Sequence, residues 1–351
     1  NLIEKEQLRE EVSSLREQLD KRYGFESILG RSAPMEHLFE QMRMVAPTRS
    51  SVLIIGESGT GKELVANALH RASPRRNERF LAINCGAIPS DILESELFGH
   101  ERGSFTGAVT RKIGKFELAH RGSLFLDEIS ELYPELQVKL LRVLEERQVM
   151  RVGGSDLIDV DFRLIAATNR DLEKEVVEGR FREDLYYRLK VVTLRIPPLR
   201  ERPGDVPLLV EAFLERFCRI LAAMVKAGVP LPEGMKTTTE STSNVVFRER
   251  LEMAQVEMVE GGGFSKPLAA TELFPGAAKQ MFKVGEETGT LDHQLEVASL
   301  YFDRELESRI KKFTTMFEPI MIIFVGLIVG FVAVALVQAM YGVLGQTKNS
   351  M

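Results

Sequence analysis

The sequence predicts an α/β fold, a parallel sheet with helices on both faces, followed by an all-α helical bundle and one C-terminal transmembrane helix. Three observations lead to this prediction. Short apolar runs alternate with amphipathic helical stretches from about Phe25 to Arg200. The strand signals stop beyond Pro203, where the pattern becomes helical. Residues 319–337 then form an apolar run without a charge, long enough to cross a bilayer.

The first segment, residues 1–23, predicts a linker with a short coiled-coil helix. Leu8, Val12, Leu15 and Leu19 recur at spacings of four, three and four. Such a seam covers about two heptads, which is too short to be stable alone. A solvated linker helix and a dimerising helix both fit it. The chain begins with Asn1 rather than Met, so we expect a fragment or a processed product.

Five segments of the α/β region predict parallel strands. Each is rich in β-branched and apolar residues, and each is followed by a segment long enough for a crossover connection. These strands are predicted at residues 51–56, 80–85, 123–128, 162–168 and 191–196.

The bulk composition excludes few functions. The net charge of −5 and the pI near 5.8 do not show the excess of basic residues that is typical of nucleic-acid-binding proteins. The two cysteines, Cys85 and Cys218, lie far apart without His or Cys neighbours at metal-ligand spacing. We therefore expect reduced, structural thiols.

The loop after the first predicted strand carries a nucleotide-binding pattern. Residues 56–62, GESGTGK, fit Gly-x-x-x-x-Gly-Lys directly after the apolar run SVLII. In such a loop backbone N–H groups surround the phosphates, and Lys62 would reach the β and γ phosphates. Glu63 replaces the usual Ser or Thr, which removes one expected magnesium ligand. The candidate nucleotide-binding residues are Gly56, Glu57, Ser58, Gly59, Thr60, Gly61, Lys62 and Glu63.

A second apolar strand, in GSLFLDEI (122–129), ends in two acids. Asp127 would hold Mg²⁺ directly or through water, and Glu128 would polarise the attacking water. Two acids that merely end a strand are the alternative. Taken together, the loop and the acids predict ATP or GTP hydrolysis.

Six separated segments together resemble the central AAA+ domain of bacterial enhancer-binding proteins, the activators that remodel RNA polymerase carrying sigma-54. The resemblance covers about residues 24–217 and implies ATP and Mg²⁺ as cofactors and self-assembly into a ring, expected to be a hexamer. In that family Glu also follows the P-loop lysine. The segments are GESGTGKE (56–63), INCGAIPSDILESELFGHERGSFTGA (83–108), LFLDEI (124–129), AATNRDL (166–172), GRFREDLYYRL (179–189) and IPPLRERPGDVPLL (196–209).

The resemblance also implies roles for single residues. Asn84 would restrain the catalytic glutamate, while Thr168 and Asn169 would sense the γ-phosphate. Arg182 and Arg188 are candidates for an arginine finger that acts on ATP in the neighbouring subunit. Without the resemblance, either arginine could equally be a surface ion-pair partner.

The segment GSFTGA resembles the loop that contacts sigma-54, usually Gly-Ala-Phe-Thr-Gly-Ala. An aromatic residue flanked by glycines is unusual on a surface, and a contact loop explains it. Ser104 replaces the usual alanine. The candidate partner-binding residues are Gly103, Ser104, Phe105, Thr106, Gly107 and Ala108.

The resemblance to the activators ends after residue 217. We expect an AAA+ core at 24–203 and only the start of a truncated helical lid at 204–217. No helix-turn-helix pattern follows, so direct DNA binding is not expected.

The remaining sequence contains FCRILAAMVKAGVPL (217–231) with its Ala-Gly-Val-Pro break, Gly-Glu-Glu-Thr-Gly at 285–289 and Glu318-Pro319 at the start of the apolar run. With these elements it resembles, over about 217–345, the C-terminal half of the inner-membrane platform protein of type II secretion and type IV pilus systems. We expect a cytoplasmic helical bundle at 218–318, a transmembrane helix at 319–341 and a tail at 342–351. Arg309, Lys311 and Lys312 precede the span and only Lys348 follows it, so we expect the ATPase domain on the cytoplasmic side. The apolar span itself is expected to anchor the chain in the bacterial inner membrane. Secretion or pilus assembly components are the implied partners.

The sequence thus predicts an ATP-hydrolysing AAA+ module, of the kind that remodels sigma-54 RNA polymerase, fused to a membrane-anchored platform segment. One continuous helix over about 206–227 would join the two parts. Two alternatives stay open: a non-enzymatic secretion or pilus platform fragment, and an artefactual chimera of two genes.

Overall fold

The computed structural model describes residues 24–105, 108–242 and 245–305. The chain divides into two compact units, one ending at Val206 and the other beginning at Pro207. The predicted coiled coil, the loop residues Thr106 and Gly107 and the predicted membrane span at 319–341 lie outside the described residues. Within the described ranges, every helix is too short or too polar to cross a membrane.

The first unit is built around a five-stranded parallel sheet, whose strands lie side by side in the order Phe80–Asn84, Ser123–Asp127, Arg163–Thr168, Val52–Ile55 and Val192–Arg195. All five predicted strands are confirmed, with ends that differ by at most one residue from the predicted ones. Their bounds are β1 Val52–Ile55, β2 Phe80–Asn84, β5 Ser123–Asp127, β8 Arg163–Thr168 and β9 Val192–Arg195.

Both faces of this sheet are buried, as the helices on either side require. Leu53, Leu124 and Leu164 belong to the core on one face, while Ile54 and Ile165 belong to the core on the other. The helices of this unit are α1 Ala33–Val45, α2 Lys62–Arg71, α3 Ser90–Phe98, α4 Lys115–Leu118, α5 Pro134–Glu146, α6 Leu172–Val177 and α7 Glu183–Leu189, with 3-10 turns at Phe25–Ser27, Ile129–Glu131, Leu199–Glu201 and Pro203–Asp205.

The strand register brings four sequence motifs to one edge of the sheet. Ile55, the residue before the glycine-rich loop, pairs with Thr168, and Asn84 pairs with Asp127. Parallel strands place their carboxyl ends at the same edge, where ligands bind in open α/β sheets. The candidate residues of the nucleotide site therefore lie together.

Two small antiparallel hairpins were not predicted from the sequence. One pairs β3 Gly99–His100 with β4 Lys112–Ile113, and the other pairs β6 Gln148–Met150 with β7 Leu157–Asp159. Strands of two or three residues are too short to show an alternating pattern, which needs four residues or more.

A buried carboxylate fixes the start of α1. Asp205 is fully buried, and its Oδ1 accepts hydrogen bonds from the backbone N–H groups of Arg31 (2.6 Å) and Ser32 (2.9 Å). Its Oδ2 accepts a third bond from Ser32 Oγ at 2.8 Å. Ser32 is the N-cap of α1, so Asp205 satisfies donors at the entry to this helix.

Replacement of Asp205 by alanine is expected to lower the free energy of unfolding of the first unit by about 3 kcal/mol, because three partly buried donors lose their fully buried acceptor. Asp205→Asn retains the oxygen that accepts both backbone bonds, so its loss should be smaller. Denaturant titration of the full chain measures both losses, with the exposed Asp156→Ala as control. Equal stability of Asp205→Ala and Asp156→Ala would contradict this role.

The second unit is all-helical. It contains α8 Val206–Lys226, α9 Leu231–Glu240, α10 Val245–Glu257, α11 Ser265–Ala270 and α12 Gly276–Thr288, with a π-helical turn at Met258–Gly262 and a last helix over residues 291–305. The predicted continuous helix at the junction is observed as α8, which begins at Val206. Phe217, Phe274 and Phe282 pack together in the core of this unit.

Glu286 caps the start of a helix in the second unit. Its carboxylate accepts hydrogen bonds from the backbone N–H groups of Phe264 (2.5 Å) and Ser265 (3.0 Å). These donors lie at the start of α11, so Glu286 supplies acceptors to the open end of that helix. Burial acts to raise the pKa of its carboxyl group, but the hydrogen bonds together outweigh burial and lower this pKa.

Candidate nucleotide site

The glycine-rich loop has the backbone of a phosphate cradle. Gly59 and Gly61 have φ values of 79° and 96°, a region that glycine enters without steric cost. Gly61 is the N-cap of α2, so the positive end of a ten-residue helix points at the loop. The loop begins at the sheet edge, where Gly56 N–H donates to Thr168 O at 3.1 Å.

Lys62 is held in place at the base of this loop. Its side chain is 7% exposed, and Nζ donates to the carbonyl oxygens of Gly56 and Glu57, each at 3.2 Å. Both acceptors are neutral carbonyls, so these bonds orient the ammonium group and leave its charge available to an anion. The loop and lysine thus fit the phosphates of a nucleotide.

Asp127 ends β5, and Glu128 follows it in the turn that leaves the strand. Asp127 Oδ1 accepts the backbone N–H of Glu128 at 2.9 Å. Glu128 itself has φ 53°, a left-handed conformation that turns the chain out of the strand. Mg²⁺ prefers one or two carboxylates together with phosphate oxygens and water, and this arrangement of oxygen donors fits it. Glu63 adds an exposed carboxylate at the first turn of α2.

Asn84 shapes the turn against which Glu128 lies. Its Oδ1 accepts the backbone N–H groups of Gly86 (2.8 Å) and Ala87 (2.9 Å), which fixes the turn after β2. A Cβ on Gly86 would overlap Glu128 Oε2 and would lie 3.5 Å from Asn84 Oδ1. The catalytic candidate and its predicted restraint are therefore neighbours.

Gly86→Ala is expected to displace the Glu128 carboxylate, because the added methyl group occupies its position. The obstacle is the end of a flexible side chain, so the fold should persist. We expect the rate of ATP hydrolysis at saturating ATP to fall by about 10- to 100-fold, a part of the roughly 10²- to 10⁴-fold that a positioned general base contributes, with ATP affinity unchanged. Gly204→Ala, at a glycine whose Cβ would meet open space, is the matched control. A rate for Gly86→Ala equal to that of the control would contradict this placement.

The sensor candidates lie at the end of the central strand. Thr168 is fully buried, and its Oγ1 donates to Ser130 Oγ or Arg170 O, both at 3.3 Å, and accepts Arg170 N–H at 3.0 Å. The next residue, Asn169, is exposed at the same edge. Thr168 therefore anchors the turn, and Asn169 is the exposed residue of the two.

The two arginine-finger candidates lie on or next to α7 and are exposed. Arg182 forms a bidentate ion pair with Asp184, with Nη2 2.6 Å from Oδ2, which raises the pKa of the guanidinium. Arg188 Nη2 donates to Leu144 O at 2.9 Å, near the end of α5. The Arg182 contact is local in sequence, whereas the Arg188 contact spans 44 positions, and both are made within the chain.

One residue beside the loop was missed by sequence reasoning. The Arg200 guanidinium forms a bidentate pair with the Glu57 carboxylate, at 2.8 and 2.6 Å, which lowers the pKa of Glu57. The loop residue Glu57 is thus connected through its carbonyl to Lys62 and through its side chain to Arg200. The segment IPPLRER contains this arginine, but nothing in the spacing of its charges singles it out.

The loop at 103–108 rests on the two small hairpins. Gly103 N–H donates to Ala108 O at 2.8 Å, and Ala108 N–H donates to Phe105 O at 3.0 Å. The Phe105 ring is 46% exposed and meets the His100 ring edge-on, with centroids 5.0 Å apart. Ser104 lies against Gly153, where a Cβ would clash with its side chain.

Sequence reasoning also did not single out Arg151, which connects the two hairpins through ion pairs. Arg151 is 7% exposed, and it pairs with Glu101 at 2.8 Å and with Glu117 at 2.6 Å. These partners raise its pKa above the ordinary arginine value. His100 reinforces the stem, because its Nε2 lies 2.9 Å from Thr110 O. The segment that carries the exposed Phe105 ring is therefore held at its base by buried polar contacts.

Each of the two parts of the chain matches a known protein family. Residues 28–195 match the family described as the Sigma-54 interaction domain, and residues 217–339 match type II secretion system protein F. A Nif-specific regulatory protein of Herbaspirillum seropedicae is 56% identical over 214 residues, 61% of this chain and 40% of the relative. The formate hydrogenlyase transcriptional activator FhlA of Escherichia coli is 54% identical over 220 residues, 62% of this chain and 32% of the relative.

The chain spans less than half the length of these curated relatives. Among solved structures, NtrX from Brucella abortus in complex with ATP is similar, with 32% identity and a TM-score of 0.57 over 87% of this chain and 73% of that one. The corresponding ADP complex has 31% identity and a TM-score of 0.58. Residues 28–195 therefore form a Sigma-54 interaction domain of the AAA+ type, joined to a segment that matches the type II secretion system protein F family at residues 217–339.

Proposed function

We propose that the first unit binds and hydrolyses ATP with Mg²⁺, as the AAA+ module of a sigma-54 activator. The observation that carries the proposal is the buried Lys62 ammonium, oriented by two neutral carbonyls at the start of α2. The similarity to NtrX, a protein solved with ATP and with ADP, supports adenine nucleotides as ligands.

In this proposal each residue at the sheet edge has one task. The loop N–H groups and Lys62 bind and orient the β and γ phosphates. Asp127 holds Mg²⁺, which supplies charge neutralisation on the phosphate oxygens when bound. Glu128 accepts a proton from the attacking water, and Asn169 contacts the γ-phosphate end of the site.

The nucleotide site is tested by ATP binding to the full chain. Lys62→Ala should weaken Mg·ATP binding by at least about tenfold, because a charge-assisted contact to phosphate is worth about 1.5–3 kcal/mol. Lys174→Ala removes an exposed lysine of the same unit and should bind ATP like the parent. Calorimetric titration measures the affinities, and equal binding by all three proteins would place ATP elsewhere.

We propose further that the unit works as a ring, expected to be a hexamer, in which Arg182 or Arg188 acts on the ATP of its neighbour. Both side chains are exposed, which lets them reach another subunit. Mixing tests this idea: an arginine variant keeps Glu128, while Glu128→Gln keeps both arginines. In a mixed ring, a subunit that keeps Glu128 can lie next to a Glu128→Gln subunit that supplies the intact arginine. Hydrolysis restored by mixing therefore identifies the substituted arginine as the finger. A lack of restoration for both would contradict action in trans.

The partner proposed for the 103–108 loop is RNA polymerase carrying sigma-54. The family match and the activator relatives support this partner. The exposed Phe105 at a rigidly held base supports the loop as the contact, because an apolar side chain on a surface is favourable when a partner covers it.

The protein F match supports a second candidate, in which the second unit is a secretion or pilus platform segment that anchors the chain in the bacterial inner membrane with the ATPase in the cytoplasm. The activator lid is then truncated at about residue 217. Detergent dependence of the full chain, compared with residues 1–217, tests the anchor. Amplification across the codons for residues 150–280 tests the alternative of an artefactual chimera, since a natural fusion gives one uninterrupted reading frame.

A further inference from the structure

A cavity of about 290 Å³ lies at the amino edge of the sheet, opposite the glycine-rich loop. The segments that precede β1, β2, β5 and β8 line it. A strand of five residues spans about 17 Å, so the cavity is well separated from the nucleotide site. Four arginines and two acids line it, which gives a local charge of +2 in a chain with a net charge of −5: Arg49, Arg75, Arg121, Arg163, Glu78 and Asp161.

Arg163 forms the buried cationic floor of this cavity. It is 1% exposed, and its Nη1 and Nη2 donate to the carbonyl oxygens of Ala46 (2.7 Å) and Val45 (2.8 Å). Within the described residues its hydrogen-bond partners are neutral carbonyls, so no carboxylate in contact offsets the charge. Burial, followed by the nearby Arg75, lowers its pKa to about 10, which still leaves it protonated at neutral pH.

Arg75 is fixed in the wall beside it. Its Nη2 lies 2.7 Å from Asp161 Oδ1, and its Nη1 donates to the carbonyl oxygens of Asp161 (3.2 Å) and Gly122 (3.3 Å). A guanidinium held by three acceptors loses little conformational freedom when it binds an anion. The wall is therefore organised before a ligand arrives.

Arg121 and Arg49 complete the wall with exposed guanidinium groups. Neither forms an ion pair within the part of the chain that the structure describes. Arg121 has φ 65°, a left-handed conformation that favours glycine and is uncommon for a long side chain. A glycine would fit this turn more easily, so the arginine brings charge to the cavity at a cost in backbone energy.

We propose that this cavity binds a small phosphorylated molecule. Planar guanidinium groups match phosphate oxygens through paired N–H donors, and a desolvated anion gains most from cations that are already fixed. The cavity is concave and has about the volume of the smaller ligand sites, which favours a small molecule over a polymer. This proposal does not depend on the activity of the nucleotide site.

The test uses inorganic pyrophosphate as the probe, with the full chain carrying Lys62→Ala so that the first phosphate site is weakened. We expect saturable binding by calorimetry at constant ionic strength. Adding Arg121→Gly should weaken it at least about tenfold, as expected for one charge-assisted contact. Glycine also relieves the left-handed turn, so a folding defect is not expected. Arg49→Gln should weaken binding in the same direction.

The matched control is Arg76→Ala, which removes an exposed arginine next to Arg75 that does not line the cavity. It should bind pyrophosphate like the parent. Equal weakening by Arg76→Ala and Arg121→Gly would show general charge attraction and overturn the site. The absence of saturable binding, or unchanged binding after Arg121→Gly, would overturn it as well.

Discussion

Replacing Glu128 by glutamine is expected to slow ATP hydrolysis by about 100- to 1,000-fold and to leave ATP binding intact. The amide has nearly the same shape as the carboxylate but cannot accept a proton from water, so the loss falls on the chemical step. Lys62 and the loop that bind the phosphates are unchanged. Phosphate release at saturating ATP measures the rate, and calorimetry with ATP measures the affinity.

Glu145→Gln provides the control for this substitution. Glu145 is an exposed carboxylate of the same unit, and its replacement should leave both the rate and the affinity unchanged. If Glu128→Gln hydrolysed ATP as fast as Glu145→Gln, the proton acceptor would have to be another residue. If it lost ATP affinity instead, Glu128 would be a binding residue.

Phe105→Ala is expected to weaken the functional coupling to sigma-54 RNA polymerase by about 30-fold, the loss typical of an aromatic residue worth about 2 kcal/mol at an interface. ATP hydrolysis should stay within about twofold of the parent, because distant and independent sites affect one another little. The measurement compares open-complex formation and phosphate release over a range of full-chain concentrations.

Val177→Ala is the control for Phe105→Ala, since Val177 is 88% exposed on the same unit and far from the loop in sequence. It should retain both activities. Parallel losses of hydrolysis and open-complex formation in Phe105→Ala would indicate a general defect. Full activation by Phe105→Ala would remove the loop from the contact with the polymerase.

The central sheet could be predicted from the sequence because its signals are local and strong. The segment FRLIAAT contains β8, whose residues are all buried, and SLFLD is a similar apolar run that ends in an acid. Once the strands are parallel, their carboxyl ends must share one edge. This geometry places Lys62, Asp127 and Thr168 together, as the spacing of the motifs predicts.

The long-range polar contacts could not be predicted in the same way. Glu57 and Arg200 are separated by 143 positions, and Arg151 meets Glu117 across 34. Charged residues are frequent in this chain, so no pattern distinguishes these pairs from solvated ones. The buried Asp205 was inconspicuous for the same reason, since its three partners are backbone and hydroxyl donors from another part of the chain.

The roles of the two arginine candidates also lie beyond the sequence. Asp184 is two residues from Arg182, and a local pair of this kind satisfies the guanidinium within one subunit. Whether the charge is used in another subunit depends on assembly, which the order of residues does not encode directly. The mixing experiment addresses that step.

The most direct test of the proposed ATPase is the rate of phosphate release from Mg·ATP by the full chain, with Lys62→Ala as the reference. We predict a rate that saturates with ATP, requires Mg²⁺ and exceeds that of Lys62→Ala by at least about 100-fold, because hydrolysis depends on the oriented ammonium group. A rate equal to that of Lys62→Ala at every ATP concentration would contradict it.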